Sequence, residues 1–215
     1  MCYNMDMTNF KKNDIFEAEV LDLTHEGQGV VKIDSFPFFV DNALPGERIK
    51  MHVLKVGKSF GFGRVDEFIS QSKHRVTQLN LDYLRTGIAD FGHLSYDEQV
   101  KFKHKQVVDI LRKTAGKSDY PVLPVVEAIK TINYRNKAQI PVQMVDGLLT
   151  TGFYRKNSHT LIPVEDFYIQ HPEIDAVVLF CAMSFERLIY KLMMRKQEKV
   201  GCEILLSVEH FTRVK

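Results

Sequence analysis

The sequence predicts an α+β protein that is mainly β: a small closed barrel first, then a β-rich central domain with two flanking helices. Three observations carry this. Residues 14–67 hold five short alternating runs separated by turns rich in Gly and Pro. Residues 118–190 return to alternation around an Asp-Gly pair at 146–147. Residues 95–117 and 171–194 repeat apolar side chains at helical spacing.

The barrel elements follow in order. In IFEAEVLDL (15–23), Phe16, Ala18 and Val20 alternate with polar partners, the pattern of a half-buried strand. THEGQG (24–29) is a turn. VVKI and FPFFV are short strands, and NALPGE (42–47) carries a Pro-Gly turn. RIKMHVLKV alternates through Ile49, Met51 and Val53, and SFGFGRV (59–65) closes the set, its glycines marking a bend or a close approach. Five such strands suggest a barrel of the OB type, a fold that binds single-stranded nucleic acid with aromatic and basic residues. Phe60, Phe62, Lys58 and Arg64 are the candidates for that role; the plainer alternative makes Phe36, Phe38 and Phe39 barrel core and the lysines a solvated surface.

A connector without clear period (68–94) leads to a helix. Ser95 and Glu98 have capping-box spacing. Val100, Val107, Val108 and Leu111 form an apolar stripe, and Gly116 is placed to end the helix. Beyond it, YRNKAQIPVQMV, the DG turn and LLTTGFYR read as a hairpin, followed by the turn KNSH and the strand TLIPV. Lys130, Arg135, Lys137, Arg155 and Lys156 face only one acid, Asp146, between residues 130 and 159. Tyr134, Phe153 and Tyr154 lie among them. Cations for phosphates and aromatics for bases are what RNA binding requires. In the last helix (171–194), Ile174, Val177, Val178, Cys181, Phe185, Leu188 and Leu192 are the expected buried stripe, with Cys181 as core and not a nucleophile.

The 215 residues carry 29 Lys and Arg against 27 Asp and Glu, a net charge of +2, so any nucleic-acid surface is local. Cys2, Cys181 and Cys202 are far apart and form no CxxC pair, which argues against a disulfide framework or a zinc site and for a reducing, cytoplasmic setting. No stretch has the length of a signal peptide or a membrane span.

Together, GHLSYDEQVKFK, YRNKAQ and GFYRKNSH, in that order behind a small barrel, resemble the S-adenosylmethionine-dependent RNA (uracil-5-)-methyltransferases, especially the bacterial enzymes of large-subunit rRNA. The resemblance runs from about residue 14 to 190. It implies a TRAM domain at 14–67, a connector at 68–94, an amphipathic helix at 95–117 and a central RNA-binding β-domain at 118–190. It assigns Tyr134, Arg135, Asn136 and Lys137 to the surface holding a structured RNA, with Arg155, Ser158 and His159 beside them. Many relatives hold an iron–sulfur cluster; here Thr86, Ala89 and Phe167 stand where cysteines are expected, so no cluster is expected. No nucleophilic Cys context or glycine-rich cofactor pocket follows. The chain therefore reads as the RNA-binding portion of such an enzyme, a monomer with no membrane partner, holding no cofactor and inactive by itself. The alternative is a stand-alone TRAM-domain RNA-binding protein or RNA chaperone, which would bury the stripe around Val107 against itself. Residues 191–215 depart from the resemblance, and the Ile204-Leu205-Leu206 run has no evident partner strand. With suitable synonymous codons, residues 202–215 read one base out of frame give R-D-I-I-I-R-R-A-F-H-T-G-E, which resembles the family; a frameshift near codon 191 or 192 is the expectation.

Overall fold

The computed structural model describes residues 10–116, 120–164, 166–196 and 204–209; for Glu186, residues 188–196 and residues 204–209 it describes the backbone alone. Five strands form a closed barrel in the order β1-β2-β3-β5-β4: β1 Ile15–Leu23, β2 Gly29–Ile33, β3 Phe36–Asp41, β4 Arg48–Val56 and β5 Gly61–Ser70. All pairs are antiparallel except β3 with β5, and β1 closes on β4. The alternation seen in sequence sorts the side chains. Val20, Val31, Phe38, Val40, Ile49, Met51 and Val53 fill the interior, with Phe10, Phe16 and Phe36 packed against them.

The FGFG repeat explains how the last strand fits. Gly61 and Gly63 face inward, where a Cβ would stand 2.5 Å from Phe38 Cδ1 and 2.7 Å from Met51 Cγ respectively. These glycines are absent side chains that leave room for two large core residues from other strands. By the period of two, Phe60 and Phe62 then face outward.

The loop after β3 is fastened by a buried ion pair. Glu47 is fully buried; its carboxylate accepts from Arg75 Nε (2.6 Å) and Nη2 (2.7 Å) and from the backbone N–H groups of Leu44 (2.8 Å) and Ser72 (3.1 Å). The remaining donors of Arg75 reach Asn42 Oδ1 and the Asn42 carbonyl, both at 2.9 Å, and its guanidinium lies 4.5 Å from the Phe68 ring centroid. Every lone pair that burial would strand finds a donor, which is the condition for tolerating such a pair.

Contacts divide the chain into two compact units, residues 1–79 with 90–125, and residues 80–89 with 126–215. The connector at 68–94 is thus shared between them, and it contains the short helix α1 Asp82–Thr86. The first unit also holds α2 Tyr96–Ala115, ended by Gly116 in the left-handed region as the sequence indicates. Ser95 is the N-cap residue, but its side chain makes no capping bond; Glu98 pairs with Lys101 at 2.6 Å, so the expected capping box is not formed. No residue of α2 is fully buried, and Val107 (46%) and Ile110 (60%) are exposed.

The second unit is a four-stranded sheet in the order β8-β7-β6-β9, from β6 Lys137–Val145, β7 Leu148–Tyr154, β8 Leu161–Pro163 and β9 Ile204–Glu209. The hairpin of β6 and β7 turns at Asp146 (φ 50°) and Gly147 (φ 84°), the two positive values of a type I′ turn. β9 pairs antiparallel with β6 from Val142↔Ile204 to Lys137↔Glu209, so the Ile204–Leu206 run does have a partner strand. In α3 Pro172–Lys196, Ile174, Val178 and Ala182 are buried while Val177 is 46% exposed, which moves the buried stripe off Val177. Cys181 and Phe185 are half-buried; Leu188 and Leu192 lie outside the described side chains. Of the tail, residues 197–203 and 210–215 lie outside the described residues.

Candidate nucleic-acid interface

The basic residues of the second unit flank the open end of a hairpin. β6 pairs with β7 from Val145↔Leu148 to Val142↔Thr151. The start of β6 and the end of β7 therefore share the open end of the hairpin, away from the Asp146-Gly147 turn. Tyr134, Arg135, Asn136 and Lys137 lead into β6, and Arg155, Ser158 and His159 follow β7, so both groups lie beyond the paired segment of the hairpin, which ends at Val142↔Thr151. The strand is shorter than the sequence suggests: Tyr134–Asn136 lie before it.

Each group is held by backbone bonds that leave side chains outward. Asn133 N donates to Tyr168 O (3.0 Å), Arg135 N to Ile169 O (2.9 Å) and His171 N to Arg135 O (3.0 Å). This clamps residues 133–135 along residues 168–171, and Tyr134 remains 57% exposed. Arg135 Nε donates to the Lys137 carbonyl at 3.0 Å, curling the guanidinium over its own loop. On the other side Arg155 N donates to Thr160 O (2.9 Å) and Ser158 N to Arg155 O (3.0 Å), with Asn157 at φ 56° closing the turn. Ser158 Oγ spends its bonds on Thr160, donating to Oγ1 and accepting from the backbone N–H, both at 3.0 Å. That makes Ser158 a residue that shapes the turn. The His159 ring stands edge-on to Tyr154, 6.4 Å between centroids.

Beneath this end lies an apolar and aromatic floor. Phe167 is buried and meets Phe153 edge-to-face at 5.0 Å; Ile88, Ala138 and Ile169 line the same small hollow with Arg135. Tyr83 stacks on Tyr168 (4.9 Å) and its hydroxyl donates to the Asp166 carbonyl. Burial, helped by the nearby Asp166 charge, pushes the Tyr83 phenol up to about 12, and burial raises that of Tyr168. Thr86 Oγ1 donates to the Asp82 carbonyl at 2.7 Å, and Ala89 N to the Tyr83 carbonyl at 3.3 Å. Among the described residues, no three His, Cys, Asp or Glu are grouped to hold a metal ion.

Lys58 and Arg64 belong to the barrel. Lys58 is exposed in the turn closed by Gly57 N donating to Phe60 O at 2.8 Å. Arg64 is largely exposed and pairs with Asp66 at 3.2 Å. Beside them the structure corrects one assignment: Phe39 is not core. It faces outward, registers directly with Phe62 across the parallel β3–β5 pair, and forms a surface cluster with Phe60 and Phe62, centroids 5.4–6.0 Å apart. The alternation FPFF signals this, since Phe38 inward requires Phe39 outward.

Comparison with known proteins agrees with this division. The TRAM domain model matches residues 10–65, which covers the barrel. The chain is 96% identical over 188 residues, 87% of its length, to an uncharacterized RNA methyltransferase of Lactococcus lactis subsp. lactis, and covers 41% of that protein. It is 56% identical over 169 residues, 79% of its length, to an uncharacterized RNA methyltransferase of Streptococcus agalactiae, covering 38% of it. The chain thus spans about two fifths of the length of the curated relatives it matches. The crystal structure of a Pyrococcus abyssi tRNA (uracil-54, C5)-methyltransferase in complex with S-adenosyl-L-homocysteine matches 86% of this chain with a TM-score of 0.52 and 19% identity, covering 38% of that protein; this is a likeness of fold.

Proposed function

We propose that this chain, a TRAM-domain protein with close relatives named RNA methyltransferases, supplies the RNA-recognition part of an S-adenosylmethionine-dependent RNA (uracil-5-)-methyltransferase acting on large-subunit rRNA. The observation that carries the reading is the open end of the β6–β7 hairpin. Arg135 and Lys137 lead into β6, Arg155 and His159 follow β7, and Tyr134 is exposed between the first two and the preceding loop. Cations suit phosphates, and the exposed tyrosine offers a stacking face. The backbone clamps on residues 133–135 and 155–160 fix both groups before RNA arrives, which lowers the ordering cost of binding. Methyl transfer and S-adenosylmethionine binding belong, on this reading, to the part of the longer relatives that these residues do not cover. Of the α2 stripe only Val107 is exposed, while Val100, Val108 and Leu111 are half-buried, so the stripe does not separate this reading from a stand-alone chaperone.

The test is a filter-binding titration with unmodified large-subunit rRNA fragments across a salt series. Replacing Arg135 and Lys137 together with Ala weakens binding several-fold and flattens the salt slope by about 1.4 to 1.8, the share of two phosphate contacts. Unchanged affinity and slope refute the assignment. The purified chain with labelled S-adenosylmethionine transfers no methyl group to the same RNA; transfer above a no-protein control refutes the division of labour.

A further inference from the structure

Helix α3 has one apolar face more than the sheet uses. Ile174, Val178 and Ala182 are buried, and the helix packs on β7 and β9. At about 100° per residue these three point one way, and Phe180 and Met183 point the opposite way. Phe180 is 70% exposed and Met183 58%, with Val177 and Leu179 exposed on either flank. From Ala176 to Phe185, AVVLFCAMSF, no side chain carries a charge. The one hydroxyl there is turned in: Ser184 Oγ donates to the Phe180 carbonyl at 2.8 Å, within the helix itself. A helix that is apolar all round is covered all round, whereas a helix at a protein surface keeps its outer face polar. α3 therefore has the sequence of a middle layer, with a sheet on one side and solvent on the other.

The chemistry of the face narrows what covers it. Its nearest charges along the helix are Glu173 and Asp175 in the first turn and Arg187 beyond its far end. RNA calls for several cations, and a helix lying on a membrane surface carries Lys and Arg along its polar side. The run Ala176–Phe185 has none. An apolar protein surface is the match. Area then separates a tethered partner from a free one. Ten helical residues span about 15 Å on a cylinder about 10 Å across, so the outer half offers roughly 200 Å². A stable complex of separate chains buries about 800 Å² on each partner. A patch a quarter of that size holds its partner only when the two are linked, where effective concentrations reach the millimolar range. The longer relatives provide that link. The 188 residues matched at 96% identity to the Lactococcus lactis protein take in residues 172–187 wherever they begin, and the match covers only 41% of that protein.

We propose that the outer face of α3, with Phe180 and Met183 at its centre, is an interdomain contact: in the longer relatives it is covered by an apolar face of the part that this chain does not span. The inference rests on the reading of this chain as one portion of a longer enzyme, and it is independent of the RNA surface.

The experiment places Phe180→Lys in this chain, and the same substitution at the matching position of the full-length Lactococcus lactis protein, and follows thermal unfolding by circular dichroism. In this chain Tm moves by less than about 2 °C, the scale of a surface change. In the longer protein the first unfolding transition falls by roughly 5 °C or more, as a charge is forced into a packed apolar contact. Phe180→Leu keeps apolar area and recovers most of that loss. Equal shifts in the two proteins refute the proposal: small ones leave the face uncovered in both, and large ones bury it within this unit. Sedimentation velocity gives a monomer for this chain; a dimer that Phe180→Lys dissociates makes a second copy the occupant and also refutes it. Filter binding of rRNA fragments keeps the two readings apart. If this chain binds no rRNA fragment while the two shifts differ, RNA recognition falls and the interdomain contact stands.

Discussion

Replacing Arg75 with Met tests whether the buried ion pair fastens the barrel loops. The substitution keeps most of the side chain's volume and removes its charge. It deletes two hydrogen bonds to Glu47 (2.6 and 2.7 Å) and two to Asn42 (2.9 Å each). The Glu47 carboxylate, fully buried, is then left with two backbone donors and no counter-charge. Breaking one side of a buried pair costs about 3–5 kcal/mol, mostly the penalty of the stranded charge. For a unit of this size that lowers Tm by roughly 12 °C or more. The double variant Glu47→Gln/Arg75→Met removes the stranded charge and recovers at least about 1 kcal/mol of the loss. Urea unfolding followed by circular dichroism measures all three proteins under one set of conditions. A cost below about 1 kcal/mol for Arg75→Met, or a double variant no more stable than the single, refutes the account.

Gly61→Ala places a methyl group 2.5 Å from the buried Phe38 ring and destabilises the barrel by about 1–3 kcal/mol in the same assay; a neutral result refutes the space argument for the FGFG repeat. Tyr83 titrates at about 12 in the folded chain against about 10 unfolded, so its contribution is complete below pH 10 and is lost as pH rises from 10 to 12, by up to about 1.4 kcal/mol per pH unit. Tyr83→Phe flattens alkaline unfolding in that window and costs about 0.5–1.5 kcal/mol below it; an unchanged alkaline profile refutes the assignment. The coding DNA checks the expectation for residues 191–215: a frame one base away reads on in family-like sequence without stops, and stop codons in it refute the frameshift.

Much of the barrel was legible because its strands alternate over most of Phe16 to Val53, and period two fixes both the element and the facing side; the bulge between Val20 and Asp22, which brings Leu23 inward, is the exception in β1. The hairpin was legible for a different reason: Asp-Gly at its tip admits few turns, and the turn sets the register from Val145↔Leu148 to Val142↔Thr151. Three things were not legible. Ser95 has the spacing of a capping residue, yet Glu98 is drawn to Lys101 by charge, and spacing cannot say which partner wins. Val177 reads as core, but which side of α3 is covered depends on the sheet it packs on, a tertiary fact. Phe39 was hidden by composition, since a run of phenylalanines suggests core until strict alternation is applied. At the proposed RNA surface the residue types were visible, whereas the bonding of Ser158 to Thr160 is a tertiary detail that spacing does not reveal.

The passage of residues 80–89 into the second unit has a consequence for biosynthesis. Tyr83 and its partner Asp166 are 83 positions apart, with a return to the first unit between them. A ribosome adding about 5–20 residues per second makes the first of these groups wait roughly 4–17 s for the second. During that interval the barrel strands are complete, while α1 has been made and has nothing to dock on. The second unit is therefore not a bead that can be cut from the string: a piece beginning at residue 118 lacks the ring that stacks on Tyr168 and the Arg85 carbonyl that accepts from Lys156 N at 2.9 Å. Insertions between residues 79 and 90 reach the central sheet as surely as changes within it, although in the linear order they fall between the barrel and the long helix.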